Sequence, residues 1–243
     1  MNRGIYPLLS GGIAQEMKLE MVSNNLSNIN TIGYKKDKAI FKSYLPIYNE
    51  PYAGQESYFG KDKAFVEYDR SVIDLSGGPI KNTGNKLDLA IDGDGFFAIE
   101  KAGNTRYTRN GNFSLDDQRR IVTQDGNPVL GEGGAIQLPE GEITVDENGT
   151  VYAGNQEAGR LRIVTLSNQD SIVKEGESLV SGGSEQPSEK FSIAQGALEQ
   201  SNVNTIEEMA FMIEVLRGYE SYQKVIQTID EINSRSVTEI GRV

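Results

Sequence analysis

The chain has 243 residues, a formal net charge of −11 and no Cys, His or Trp. Such an acidic balance argues against neutralising nucleic-acid phosphates or adsorbing to an anionic membrane face. The missing residue types exclude thiolate nucleophiles, imidazole acid–base chemistry and ordinary zinc sites, and no apolar run approaches the ~20 residues that span a bilayer.

The opening stretch, "MNRGIYPLLSGGIAQEMKLE", is interrupted by Ser10, Gly11 and Gly12 and lacks the continuous apolar core of a secretory signal, so no cleaved leader is expected. From Ile5 to Ile29 the positions Ile5, Leu8, Gly12, Gln15, Leu19, Val22, Leu26 and Ile29 follow alternating steps of three and four. This spacing predicts an amphipathic helix over 3–30 of coiled-coil type. Gly33 is placed to stop it in a left-handed conformation, with Lys35 and Lys36 beside its negative end. Asn24, Asn25, Asn28 and Asn30 sit poorly in such a helix, because their amides compete for backbone groups. Either the helix frays before Gly33, or the amides bond sideways to neighbouring helices and set their register. The second reading gives Asn24, Asn25 and Asn28 a lateral role.

Residues 42–85, with five tyrosines and weak periodicity, read as an extended linker or a poorly regular strand region. Beyond them the pattern changes to period two with tight turns. "KLDLAIDGDGFFAIE" (86–100) reads as two strands around a Gly-rich turn, and "RYTRNGNFSLD" (106–116) has Asn110-Gly111 at a hairpin tip. "ITVDENGTVYA" (143–153) turns at 147–149, "GRLRIVTLS" (159–167) is one more alternating strand, and "GGSEQPSEK" (182–190) reads as a plain linker. About 110 residues share this pattern, enough for a β domain with its own core.

At the C-terminal end Asn204 stands as N-cap with Glu207 three residues on, close to a capping box. Val215, Tyr219, Tyr222, Ile226 and Ile229 then form one three/four seam, and Ile206, Met209, Ile213 and Leu216 an adjoining one. So wide a stripe must touch more than one neighbour. Neither end is stable as an isolated helix. Residues 1–38 carry five basic and three acidic side chains, and residues 199–243 four and eight, so opposite ends attract more than like ends.

The chemistry-bearing motifs are few. Asp92 and Asp94 in "DGDG" could act as paired carboxylates or open a calcium loop, but Phe96 and Phe97 occupy the positions where further oxygen ligands belong. A sharp turn feeding two aromatics into a core accounts for the same residues. Tyr107 and Arg109 are either an exposed contact patch or the alternating faces of a strand, and Lys35–Lys38 reads as a solvated helix exit. No phosphate-loop signature stands between a strand and a helix. Catalytic, cofactor-binding and metal residues are therefore all expected to be none.

Three ordered blocks carry a resemblance. "MVSNNLSNINTIGYKKDKAIF" (21–41), then "LDLAIDGDGFFAI", "YTRNGNFSLD" and "IVTQDGNPVLG", then "QGALEQSNVNTIEEMAFMIEVLRGYESYQKVIQTIDEIN" (195–233) together resemble the bacterial flagellar axial proteins, specifically the basal-body rod protein family. The stretches "MNRGIY" and "DLSGGPIKNTGNKLDLAIDGDGFF" look most like a proximal rod member. A distal rod member is the close relative, and "SYFGKDKAFVEYDRS" (57–71) departs from the Leu-Gln-Ile-Gly-x-Gly-Val segment of that type. The resemblance implies an α+β protein whose terminal helices pair as a coiled-coil-like bundle around a central all-β domain. The expected bounds are an N-terminal helix in 1–41, a linker in 42–85, a β domain in 86–195 and a C-terminal helix in 196–243. It further implies export through the flagellar type III apparatus without leader cleavage, a basal-body location, and partnership with itself and other rod proteins, with no nucleic acid, small-molecule substrate or membrane insertion. Burial between subunits is expected from Leu8, Leu19, Val22, Leu26 and Ile29 with Val215, Tyr219, Tyr222, Ile226 and Ile229, and lateral register from Asn24, Asn25 and Asn28. The rival expectations are a secreted β-domain binding module or adhesin, and a hydrolase built on Asp92 and Asp94.

Overall fold

The computed structural model describes residues 5–44, 65–168, 171–176, 178–188 and 190–240. They are α+β, with a helix near each end and a β-rich middle. Helix α1 is Ile5–Ser27 and helix α2 is Thr205–Ile240. Gly33 has φ +67, the left-handed stop its position called for, and α2 begins directly after Asn204. No helix among the described residues is long and apolar enough to cross a membrane.

The chain divides into two compact units. One, the helical unit, takes α1 to Leu26, α2, and most of the strands Asp37–Tyr44 and Phe65–Ile73, which pair as a two-stranded ribbon. In it Phe41 stacks edge-on against Tyr68, and the Lys18 ammonium lies 5.0 Å from the centre of the Phe41 ring. The other, the β unit, takes residues 27–37 and 72–204.

Alternation along one strand organises the β unit. In Phe96–Lys101, Phe97 and Ile99 point into one core with Leu89, Ile91, Phe113, Val129 and Val151, while Phe96 and Ala98 point into a second with Tyr107, Val164 and Val180. Both faces of this strand are therefore covered, and each fully buried Phe or Ile contributes about 1.5–3 kcal/mol. The strand lies inside a six-stranded antiparallel sheet in the order 173–174, 179–181, 104–108, 96–101, 163–167, 184–187. The last strand, Ser184–Pro187, tolerates Pro187 because it lies at an edge of that sheet.

Strands from late in the sequence complete early ones. Phe191–Gln195 pairs antiparallel with Leu89–Gly93, and Ala197–Glu199 with Ile80–Asn82. The "DGDG" turn behaves as a turn: Gly93 and Gly95 have φ +105 and +133, Asp92 and Asp94 are exposed, and Phe96 and Phe97 are buried.

Three local expectations are corrected. The strands flanking Asn110-Gly111 do not pair with each other: Asn104–Thr108 joins the six-stranded sheet and Phe113–Leu115 pairs with Ile121–Thr123. Gly111 instead lies against Leu89, whose N–H donates to the Gly111 carbonyl at 3.0 Å. Residues 182–190 are not a plain linker, since Ser184–Pro187 pairs residue for residue with Val164–Ser167. The expected single strand 159–167 is interrupted at Leu161-Arg162 and feeds two sheets, Gln156–Arg160 in one and Ile163–Ser167 in the other. For 42–85, read as an extended linker or a poorly regular strand region, the described part holds the strands Phe65–Ile73 and Ile80–Asn82, and residues 45–64 lie outside the described residues. Tertiary pairing decided each of these where turn chemistry alone could not.

A Cβ on Gly111 would fall 1.6 Å from the Leu89 carbonyl oxygen, whereas one on Gly133 would meet nothing within 4 Å. Gly111→Ala is therefore expected to cost the β unit about 3 kcal/mol, and Gly133→Ala to leave it near wild type, as read by denaturant unfolding of the full chain. Acid should also weaken the unit. Backbone N–H donation from Arg120 holds Asp116 below the usual carboxylate range, and hydrogen bonds from Lys86 and Arg106 do the same for Glu142 and Glu175. These groups bind fewer protons folded than unfolded, so their stabilisation is present above the ordinary carboxylate range and disappears as pH falls through the depressed values. Thermal melts taken from neutral pH downward should show that loss, and Asp116→Asn should reduce it.

Candidate assembly site

Within the helical unit the two helices pack closely at glycines. A Cβ on Gly11 of α1 would sit 2.7 Å from the Tyr222 ring of α2, and one on Gly218 of α2 would sit 3.3 Å from the Gln15 amide. Moving four residues forward on α1 thus moves four back on α2, so the helices run antiparallel. The glycines that lower intrinsic helix propensity are what let the tyrosine ring approach.

Of the residues expected to carry assembly, Val22, Asn25 and Val215 are buried. Leu8, Leu19, Leu26, Asn28, Ile29, Tyr219, Tyr222, Ile226 and Ile229 are half-buried, and Asn24 is exposed. The Thr31 hydroxyl donates to the Asn28 amide oxygen at 3.1 Å. At Tyr222 the Val215–Ile229 seam is turned toward α1 of the same chain. The adjoining seam stays in solvent: Ile206 is 80% exposed, and Met209, Ile213 and Leu216 are exposed with it.

The β unit holds a charged cluster of its own. The segments through which the chain passes from and to the helices, 33–36 and 199–202, are bonded to each other in it. The Gly33 N–H donates to the Glu199 carbonyl at 2.8 Å, and the Lys36 N–H donates to the Asn202 side-chain oxygen at 2.8 Å. Asn202 Nδ2 donates onward to the Asp74 carbonyl at 2.9 Å. At the centre lie three charged side chains that are almost wholly buried, Lys35 at 3%, Arg109 at 3% and Glu199 at 1% exposure. One Glu199 oxygen accepts from Lys35 Nζ at 2.6 Å and from the Gly78 N–H at 2.8 Å, and the other from Arg109 Nη1 at 2.9 Å. Further donors of the two cations are used as well, although the buried Arg109 Nε has no hydrogen-bond partner among the described residues. Lys35 Nζ reaches the Ser76 carbonyl at 2.5 Å, and the Arg109 fork reaches the Ile91 and Gly93 carbonyls at 3.1 and 2.8 Å. Burial pushes the Lys35 ammonium below its usual value, with Glu199 opposing. Beside them Lys174 pairs with Asp37 at 2.7 Å over the face of Tyr34.

This collar corrects two expectations and adds one residue. Lys35 is not part of a solvated helix exit, and Arg109 is neither an exposed contact nor an ordinary strand residue. Glu199 carried no signal, because its partners lie 164 and 90 residues away, beyond any periodicity. Asp88, next to the turn residues, is buried and accepts from Thr83, Asn85 and Asn112, which accounts for it structurally. Among the described residues no group of three acidic side chains is placed to hold a metal ion.

The chain thus has a helix near each end, and the segments 33–36 and 199–202 next to those helices are bonded to each other in the β unit. Three family models match in order: the flagella basal body rod protein over residues 5–35, the flagellar hook protein FlgE/F/G D1 domain over 90–153, and the flagellar basal body rod FlgEFG protein C-terminal over 194–239. The chain is 32% identical to the flagellar basal-body rod protein FlgF of Caulobacter vibrioides, with all of both chains covered. It is 36% identical to FlgG of Bacillus subtilis over 96% of this chain and 97% of that one, and 29% identical to FlgF of Mesorhizobium japonicum over 99% of each. The chain belongs to the flagellar basal-body rod protein family.

Removing one member of a buried ion cluster leaves the others uncompensated. Glu199→Ala is expected to lower the unfolding free energy of the β unit by about 3–5 kcal/mol, measured by chemical denaturation. Lys35→Met, which leaves the Glu199–Arg109 pair intact, should cost less.

Proposed function

We propose that this chain is a non-enzymatic structural subunit of the flagellar rod, polymerising through its terminal helices into the shaft that carries torque. The observation that carries this reading is the contrast between the units. The β unit encloses its cores, whereas α2 keeps a complete apolar seam in water, from Ile206 to Leu216. Leaving such a stripe exposed is costly for a lone chain and is relieved by neighbours. The helices pair as a coiled-coil-like bundle, a reading supported by the Gly11–Tyr222 and Gly218–Gln15 contacts. In the assembly Leu8, Leu19, Val22, Leu26 and Ile29 with Val215, Tyr219, Tyr222, Ile226 and Ile229 carry burial between subunits as well as within the chain, and Asn24, Asn25 and Asn28 set lateral register.

The proximal end of the rod is the position favoured by the sequence of residues 1–6 and 74–97, although relatives of both the FlgF and the FlgG type match. The segment 57–71, which departs from the distal type, lies outside the described residues for 57–64. The subunit reaches its place at the basal body through the flagellar type III export apparatus without leader cleavage, and its partners are itself and other rod proteins.

Deleting residues 1–30 should abolish rod formation and motility in a strain lacking the native gene, as seen by electron microscopy of basal bodies and swimming assays. A β-domain binding module would keep its activity after that deletion, so retained motility overturns the proposal.

A further inference from the structure

The sequence contains two Asn-Gly pairs, Asn110-Gly111 and Asn148-Gly149, and the fold treats them differently. Where Gly follows Asn, no side chain shields the next main-chain nitrogen from the Asn amide carbon. At 110–111 the backbone is clamped from both sides. A Cβ on Gly33 would stand 2.4 Å from Asn110 N, and one on Gly111 would stand 1.6 Å from the Leu89 carbonyl oxygen. The Asn110 side-chain oxygen also accepts from the Asn112 N–H at 3.0 Å. This pair is held by its side chain and its main chain together.

Asn148-Gly149 lies in the turn between the strands Ile143–Val145 and Thr150–Ala153. Asn148 is exposed, and among the described residues its side-chain amide makes no hydrogen bond. The Gly149 N–H donates to the Asp146 carbonyl at 3.0 Å, so releasing it needs only the turn 146–149 to open, a local event. Arg160 Nε donates to the Asn148 carbonyl at 3.2 Å. That carbonyl and the Gly149 nitrogen belong to one peptide group. The guanidinium therefore favours the anionic form of the group and eases loss of the Gly149 proton. One turn thus brings together an unheld amide carbon, the nitrogen that can attack it and a cation that stabilises the nucleophile.

We infer that Asn148 is a site of spontaneous deamidation and that Arg160 promotes it. Hydroxide from solvent removes the Gly149 amide proton, and the nitrogen attacks Asn148 Cγ. The new N–Cγ bond forms, the bond from Cγ to Nδ2 breaks, and ammonia leaves with a proton taken from water. Water then opens the cyclic imide at either carbonyl to give aspartate or isoaspartate, with nothing oxidised or reduced. Either product adds a negative charge beside the exposed Glu147, and isoaspartate also puts an extra carbon into the main chain. Three hydrogen bonds hang from this turn. The Ile193 N–H donates to the Glu147 carbonyl at 2.9 Å, the Leu161 N–H to the Gly149 carbonyl at 2.8 Å, and the Thr150 N–H to the Asp146 carboxylate at 2.8 Å. Deamidation therefore loosens the sheet of 143–145, 150–153 and 156–160 where it meets Phe191–Gln195. The site lies wholly in the β unit and does not depend on how the helices assemble.

The test incubates the full-length chain at neutral and at alkaline pH, folded and in concentrated urea. Peptide mass spectrometry reads the replacement of –NH2 by –OH at each Asn, and labelling by an isoaspartyl methyltransferase reads the isoaspartate. In the folded chain, conversion at Asn148 should run several-fold faster than at Asn110 and rise with pH, and in urea the two sites should converge. Arg160→Gln should slow conversion at Asn148 several-fold in the folded chain and leave it unchanged in urea. A variant that merely loosened the turn would speed it instead. Asn148→Gln should remove the faster signal. A folded chain that shows no conversion at Asn148, or equal conversion at both sites, overturns the inference. An Arg160→Gln rate equal to or above that of the wild type overturns the part given to Arg160.

Discussion

The β unit turns on one carboxylate. Glu199 holds Lys35 on one oxygen and Arg109 on the other, in a place that excludes water from all three. Two buried cations share one anion, and Lys35 Nζ and the two terminal nitrogens of Arg109 also donate to the Ser76, Ile91 and Gly93 carbonyls, while Arg109 Nε is buried without a partner among the described residues. Such a cluster adds little net stability over an apolar replacement, but it is intolerant of misplacement, since a displaced member leaves a charge without a partner in low dielectric. It therefore fixes the relative placement of residues 33–36, 74–78, 109 and 199–202 more strictly than apolar contacts of the same size.

That constraint has a consequence for how the chain closes. The strands Leu89–Gly93 and Ile80–Asn82 pair along their length with residues 191–199, and the Gly33 N–H donates to the Glu199 carbonyl. Almost the whole β unit must be present before its first strands and its link to α1 are satisfied. Contacts of such long sequence separation fold late and together. Gly33 shows how tight the fit is, because a Cβ there would stand 2.4 Å from the Arg109 backbone.

The helices follow the opposite logic. They meet each other through glycine and tyrosine on one face and keep apolar side chains on the other, so one chain satisfies only half of what they present. The β unit encloses two apolar cores, while α2 leaves Ile206, Met209, Ile213 and Leu216 exposed. Membership of a family named for the flagellar basal-body rod fits this division between a closed part and an open one.

The sequence by itself determined the elements whose signals are local. The steps of three and four gave both helices, Gly33 gave the stop of the first, Asn204 the start of the second, and alternation with Asp-Gly turns gave the β middle and the inward course of Phe96 and Phe97. It also carried the family, since the matching blocks are contiguous runs. Only the tertiary structure decided which strands pair, as at Asn110-Gly111, where both flanking strands find other partners, and at 184–187, where an apparent linker closes a sheet edge. It alone decided that Lys35 and Arg109 are interior, and which of two neighbouring seams on α2 faces α1. The physical reason is range: periodicity and turn chemistry act over a few residues, whereas a buried ion cluster and a helix face are fixed by partners 90 to 211 positions away along the chain.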